Sequence, residues 1–286
     1  MGNSDMGVGS FVTNPNAPNW GVGKVIDIKE KGRRQVFFEY VGVKVVDQNF
    51  LSPTAPPENH PVLKSIDNIK KLTGFRPFPD LETFFLEKFK GGFEDPEYLE
   101  NERVYKVNAS KCMQTTCSKA VLEELLHNGS YAEVCNLAKR VMNQTNLIFR
   151  NEKMSLSDGL KEVGDQKLFS RQLYSVLYGS GDEGERFESF VAALEELEAC
   201  KWTTATYFLY LSDPNRYPFV KPSNISIAAK SYAFDICYTS RPNWQTYTRI
   251  IDFVHHVASL LERRATLKPR DLIDVQSFIW CALQNN

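Results

Sequence analysis

The chain has 286 residues, of which 42% are hydrophobic and 12% aromatic, and its formal net charge is −1. This composition supports one large core, or a medium core with a small module, and excludes a chain coated throughout with cations for nucleic acid. No apolar run approaches the roughly 18 to 20 residues of a membrane helix, and the start, MGNSDMGVGS, has neither a basic region nor an apolar core for export. No membrane association and a cytoplasmic location are therefore expected, and Asp5 and Met6 stand where a myristoylation signal would carry a hydroxyl residue.

Residues 10–50 read as strands. Short alternating runs at 22–28, 35–40 and 43–46 are separated by Lys31-Gly32-Arg33 and by Gly42, which is the punctuation of tight turns. A small barrel is the expected outcome. Gly21 and Gly23 permit a bulge or a close strand approach, and Trp20 serves either to cap one end of the barrel or as part of its core. The wording FVTNPNAPNWGVGKVIDIKEKGRRQVFFEYVGVKVV, with Pro18-Asn19-Trp20-Gly21-Val22-Gly23 leading into a strand, resembles the Tudor/SH3-like module of CarD-type transcription regulators and of the tails of UvrD/PcrA-type repair helicases. That resemblance implies a contact module without catalysis, with RNA polymerase or a repair protein as the partner of residues 10–50.

Residues 51–61, LSPTAPPENHP, hold four prolines and little that can pack, so they read as a semi-rigid linker. The expected class is α+β: a module over 1–50, the linker at 51–61, and an all-α domain over 62–286. In that domain Val62, Ile66, Ile69 and Leu72 recur at helical spacing, and Pro79-Asp80 opens a segment with Leu81, Phe84, Phe85 and Phe89 that Gly91-Gly92 stops. Helical patterns follow from Asp95-Pro96 to His127, then at 131–148, 168–178 and 187–199, with 179–184 as a flexible glycine-rich connector. Residues 202–211 are apolar nearly all round and predict a helix covered on every side. After it come helices at 223–234, from an Asn243 cap onward, and from Lys268-Pro269 to Trp280, in which Asp274 and Gln276 interrupt an apolar run.

The segment 200–224, CKWTTATYFLYLSDPNRYPFVKPSN, is the candidate site, because a stiff, charged loop leaves a buried helix there. Lys and Arg balance Asp and Glu over residues 1–60, fall five short over 61–199 and exceed them by four over 200–286, so the basic surplus lies with this segment. The six cysteines form no C-x-x-C pair and His255-His256 project about 100° apart on a helix, so neither a metal nor a cofactor is expected. Thr203-Thr204-Ala205 through Leu211, then Asp213 to Phe219, resembles the helix, loop and Pro-Val segment of helix-hairpin-helix DNA glycosylases. The chain departs from that pattern where Glu198-Ala199-Cys200-Lys201 replaces the Gly-rich hairpin and Val220-Lys221 replaces the catalytic aspartate.

In the absence of that carboxylate, a desolvated lysine is the alternative nucleophile: Lys221 or Lys201, supported by Asp274 or Asp235. Arg216, Ser223 and Asn224 are the expected polar contacts to DNA, and Tyr217, Phe219, Trp202 and Trp20 the expected rings for bases or partner surfaces. Three functions stay open: a DNA-binding protein that handles nucleobases, as a glycosylase in DNA repair; a non-catalytic adapter that docks through its Tudor-like module; and an enzyme of another class, for which no hydrolase triad, cofactor loop or paired-carboxylate motif stands in the sequence.

Overall fold

In the computed structural model the described residues are 6–58, 60–66, 72–264 and 266–283; Ile69 of the first expected helix and Gly2 and Asp5 lie outside them. The chain divides into two compact units. One holds Met1–Lys88, Ser226–Ile236 and Trp280–Asn286, and the other Phe89–Ile225 and Cys237–Ile279.

The first unit is built on five antiparallel strands, β1 (Phe11–Thr13), β2 (Gly23–Ile28), β3 (Arg33–Phe38), β4 (Gly42–Asp47) and β5 (Ser52–Pro53), in the order β4-β3-β2-β1-β5. The expected barrel does not close: β4 and β5 are opposite edges, and β5 is two residues long with a proline that cannot extend a ladder. Those two residues come from the stretch read as a linker, and they pair with Val12 and Thr13 of β1.

The expected alternation also fails in β3, where Arg34 to Phe38 are all buried. Val36 and Phe38 enter a core with Met6, Val12, Val25, Val46 and Leu51, while Phe37 on the other face meets Phe75 edge-on at 4.9 Å. Trp20 packs on this core, its ring 5.1 Å from Phe38. A Cβ on Gly23 would lie 2.6 Å from Val36 and 2.7 Å from Phe38, so the glycine is required by close approach, and the bulge falls instead between Val25 and Asp27. At the β2–β3 turn Lys31 and Gly32 both take positive φ, as a two-residue hairpin turn demands. The unit continues through α1 (Pro61–Ser65), capped by His60 Nδ1, and α2 (Phe78–Lys88).

The second unit is helical. Asp95 caps α3 (Pro96–Tyr98), and its carboxylate accepts from the backbone N–H groups of Gly91 and Glu97. The single long helix expected to follow is broken twice. Leu99–Arg103 is a π-helical turn leading into α4 (Val104–Thr116), and Ser118 caps a separate α5 (Lys119–His127). Next come α6 (Tyr131–Met142), the unexpected α7 (Arg150–Gly159), α8 (Val163–Tyr178) and α9 (Glu183–Glu196). The end of the expected connector is helix, since Gly184 lies in α9 with Trp244 where a Cβ would go, 2.5 Å away.

The remaining helices are α10 (Trp202–Ser212), α11 (Pro222–Ser231), α12 (Trp244–Glu262) and α13 (Leu272–Cys281), of which α11 and α13 continue into the first unit. Asn243 caps α12 as its sequence indicates, accepting from Thr246 N at 2.8 Å. In α13 the first helical residue is Leu272 and not Pro269, because Asp271 takes the capping role toward the N–H groups of Ile273 and Asp274.

Two stability changes test this packing. Gly23→Ala is expected to cost about 1–3 kcal/mol in denaturant unfolding through overpacking against Val36 and Phe38, whereas Lys31→Gly at the turn is expected to leave stability unchanged or raise it.

Candidate functional site

Every residue of α10 from Trp202 to Leu211 is buried, so its hydroxyls must find partners inside the protein. Thr204 Oγ1 donates to Ala199 O at 2.6 Å, Tyr207 shares a 2.8 Å bond with Thr145 Oγ1, and Ser110 Oγ of α4 closes the helix by donating to Leu211 O. Thr206 Oγ1 accepts from Val220 N at 3.0 Å, which ties the following loop to the helix.

That loop is fastened at each turn. Tyr247 Oη donates to Pro218 O at 3.0 Å, and the Gln276 amide brackets the backbone of Phe219, accepting from its N–H and donating to its carbonyl. Gln276, conspicuous in sequence as a polar residue in an apolar run, is therefore a loop clamp. Phe219 and Trp202 are buried; the Trp202 indole donates to Thr239 O at 2.9 Å, and its ring lies against Tyr247. Tyr217 donates to Glu183, which also pairs with Arg216 at 2.5 Å, and the guanidinium covers the Tyr217 ring. Burial, then the Glu183 carboxylate, push the Tyr217 phenol well above its ordinary value. Three rings expected to meet bases thus lie within the packing, and Glu183, which sequence did not single out, holds two of the candidate residues.

Asp274 is fully buried at the centre of an ionic cluster. Its oxygens accept from Tyr98 Oη at 2.5 Å, from Arg103 Nη1 at 2.8 Å, and from Arg270 through both Nε at 2.8 Å and the backbone N–H at 2.9 Å. Arg103 also makes a two-pronged pair with Asp271, at 2.8 Å for each contact. Burial opposes the Arg103 charge, but the two carboxylates outweigh it and raise its pKa. Nearby, Lys106 donates to Ser277 Oγ and to Glu102. The π-helical turn ends on Arg103, so the irregularity in the helix and the buried charge belong together.

The remaining candidates are not among the residues bonded in that cluster. Lys201 is exposed just before α10, and Ser223 and Asn224 bond to each other. Asp235 is exposed and belongs, with Trp20, to the sheet-bearing unit. Lys221 is half-buried, with its ammonium 4.6 Å from the ring centre of Phe149. Elsewhere a cleft of about 320 Å³ is lined by Asp158, Asp165, Glu196 and Glu198. Among the described residues no three His, Cys, Asp or Glu side chains are grouped so as to hold a metal ion, and no helix is long and apolar enough to cross a membrane.

Residues 6–52 match the family model described as "Protein of unknown function (DUF3553)", and the five-stranded sheet they build is compatible with a small Tudor/SH3-like module. No curated protein and no solved structure matches the chain.

Removing one partner of the buried cluster is expected to be costly: Asp274→Ala leaves Arg103 and Arg270 short of a counter-charge and should lower unfolding stability by about 3–5 kcal/mol. Lys221→Ala, half-buried and losing a cation–π contact with Phe149, should cost about 0.5–1 kcal/mol, well below Asp274→Ala. Thiol labelling tests the same packing. Burial pushes the Cys117 and Cys200 thiols up to about 11, so at pH 8 they hold little thiolate. Iodoacetamide is expected to modify exposed Cys237 before either, and the reverse order would contradict the packing.

Proposed function

We propose that this chain is a non-catalytic adapter that docks through its N-terminal sheet on transcription or repair machinery, with RNA polymerase or a repair protein as the partner class. The observation that carries this reading is the outer edge of β4. It is a six-residue edge strand that pairs only with β3 among the described residues, and its Val45 is 52% exposed. An edge of that length offers a row of unpaired N–H and C=O groups, and adding a partner strand to it gives affinity through the backbone and specificity through alternate side chains. Lys44 supports the docking face, since its ammonium lies 5.9 Å from the ring centre of Trp20.

The helical unit favours the adapter over a glycosylase. Asp274, one of the two carboxylates expected to support a lysine nucleophile, is enclosed by Tyr98, Arg103 and Arg270. Arg216 and Tyr217 are likewise engaged by Glu183.

The test is capture of purified RNA polymerase, and of repair proteins from a nucleic-acid-free extract, on the immobilised full chain. Val45→Lys and Trp20→Ala are each expected to weaken capture at least about tenfold, the loss that a central interface residue produces. Because Val45 is exposed, Val45→Lys separates lost docking from lost folding. Capture undiminished in that variant would refute docking at the β4 edge.

A further inference from the structure

The first turn of α7 gathers features that neither the sheet nor the buried cluster uses. Phe149, the residue before the helix, is 54% exposed, and Lys221 covers one face of its ring at 4.6 Å from the centroid. Arg150 follows it, exposed and with no carboxylate partner among the described residues. Lys153 lies one turn on, and its ammonium donates to Thr145 O at 2.7 Å, with no acidic partner among the described residues; burial lowers its pKa. Glu152 lies in the same turn, and both its carboxylate oxygens are in use: one accepts from Phe149 N at 3.0 Å and the other from Thr203 Oγ1 at 3.0 Å. The Thr203 bond brings the start of α10, and with it exposed Lys201, to the same region. Four cations therefore belong to the elements that meet beside this exposed ring and its internally bonded carboxylate, within a chain whose residues 61–199 carry an acidic surplus.

We propose that this patch is a contact site for single-stranded nucleic acid, in which Phe149 stacks on one base while Lys221, Arg150 and Lys153 meet the flanking phosphates. Charge complementarity selects a polyanion, and the open ring selects one that carries planar bases, since every base has a face that an aromatic side chain can stack on. The Lys221 ammonium on the far side of the ring fixes the ring's orientation and lies beside the phosphate that follows the stacked base. At the other end of α7, Asp158 lines the acidic cleft with Asp165, Glu196 and Glu198, which repels a polyanion and confines the contact to the helix start. The inference does not depend on the sheet module.

The experiment is fluorescence anisotropy of a labelled oligothymidylate with the full chain across a salt series. Binding is expected to weaken with salt. Phe149→Ala should reduce affinity about tenfold, the loss of one stacked base, and Phe149→Trp should keep or strengthen it. Lys221→Gln should lower the slope of log K against log salt by about 0.7, one phosphate contact on a single strand. Val45→Lys should leave oligonucleotide binding unchanged, which separates this site from the sheet edge. Equal affinity for an abasic oligomer, for polyglutamate, or for oligothymidylate in Phe149→Ala with an unchanged melting temperature would overturn the proposal, and the polyglutamate result would mark the patch as a site for acidic protein.

Discussion

A helix buried on all sides must satisfy its own polar atoms, and that constraint organises the helical unit. α10 carries three threonines and two tyrosines between Trp202 and Leu211, all of them buried. Each threonine that bonds outward fixes something else: Thr206 holds the loop through Val220, and Thr203 reaches Glu152 and so α7. Tyr247 and Gln276 complete the fastening of the loop. A loop held by three side chains, Thr206, Tyr247 and Gln276, is fastened where a base-extruding enzyme would need room. The candidate rings are accordingly part of the packing, and what faces outward nearby is a different ring, Phe149, with Lys221 over it.

The ionic cluster around Asp274 extends the same logic to charge. Burying a carboxylate is tolerable only when hydrogen bonds and counter-charges replace water, and here two arginines, a tyrosine and a backbone N–H do so. Such an arrangement perturbs the groups in it as an active site would. Its geometry differs from one, because both oxygens of Asp274 already have partners. The sheet module works under a different constraint: β3 is buried on both faces, so its register is strongly specified, while β4 at the edge keeps one side of its backbone available.

Much of the local structure was legible in sequence and the long-range chemistry was not. The buried helix at 202–211, the Asn243 cap and the Asp95-Pro96 start all follow from composition or from capping chemistry confined to a few neighbouring residues. α7 escaped notice because Leu156 is its only buried residue, so no apolar stripe marks it, although Glu152 three residues after Phe149 carried a capping signal. The break at Cys117 is signalled only by Ser118, and the π-helical turn by nothing local. β3 misled for a physical reason: with both faces covered, a strand has no need to alternate. Asp274 was noticeable as a charge in an apolar run, but its partner Arg103 lies 171 residues away, a separation that a single sequence does not reveal.

The central claim is that the buried charges of the helical unit hold the fold and that the protein acts by contact. A single-turnover base-release assay, with borohydride trapping, over single strands and duplexes carrying normal and modified bases tests it most directly. The account predicts neither released base nor trapped adduct above the protein-free control. Base release by the parent chain that disappears in Asp274→Asn while the melting temperature is retained, or a trapped adduct that disappears in Lys221→Ala, would contradict it.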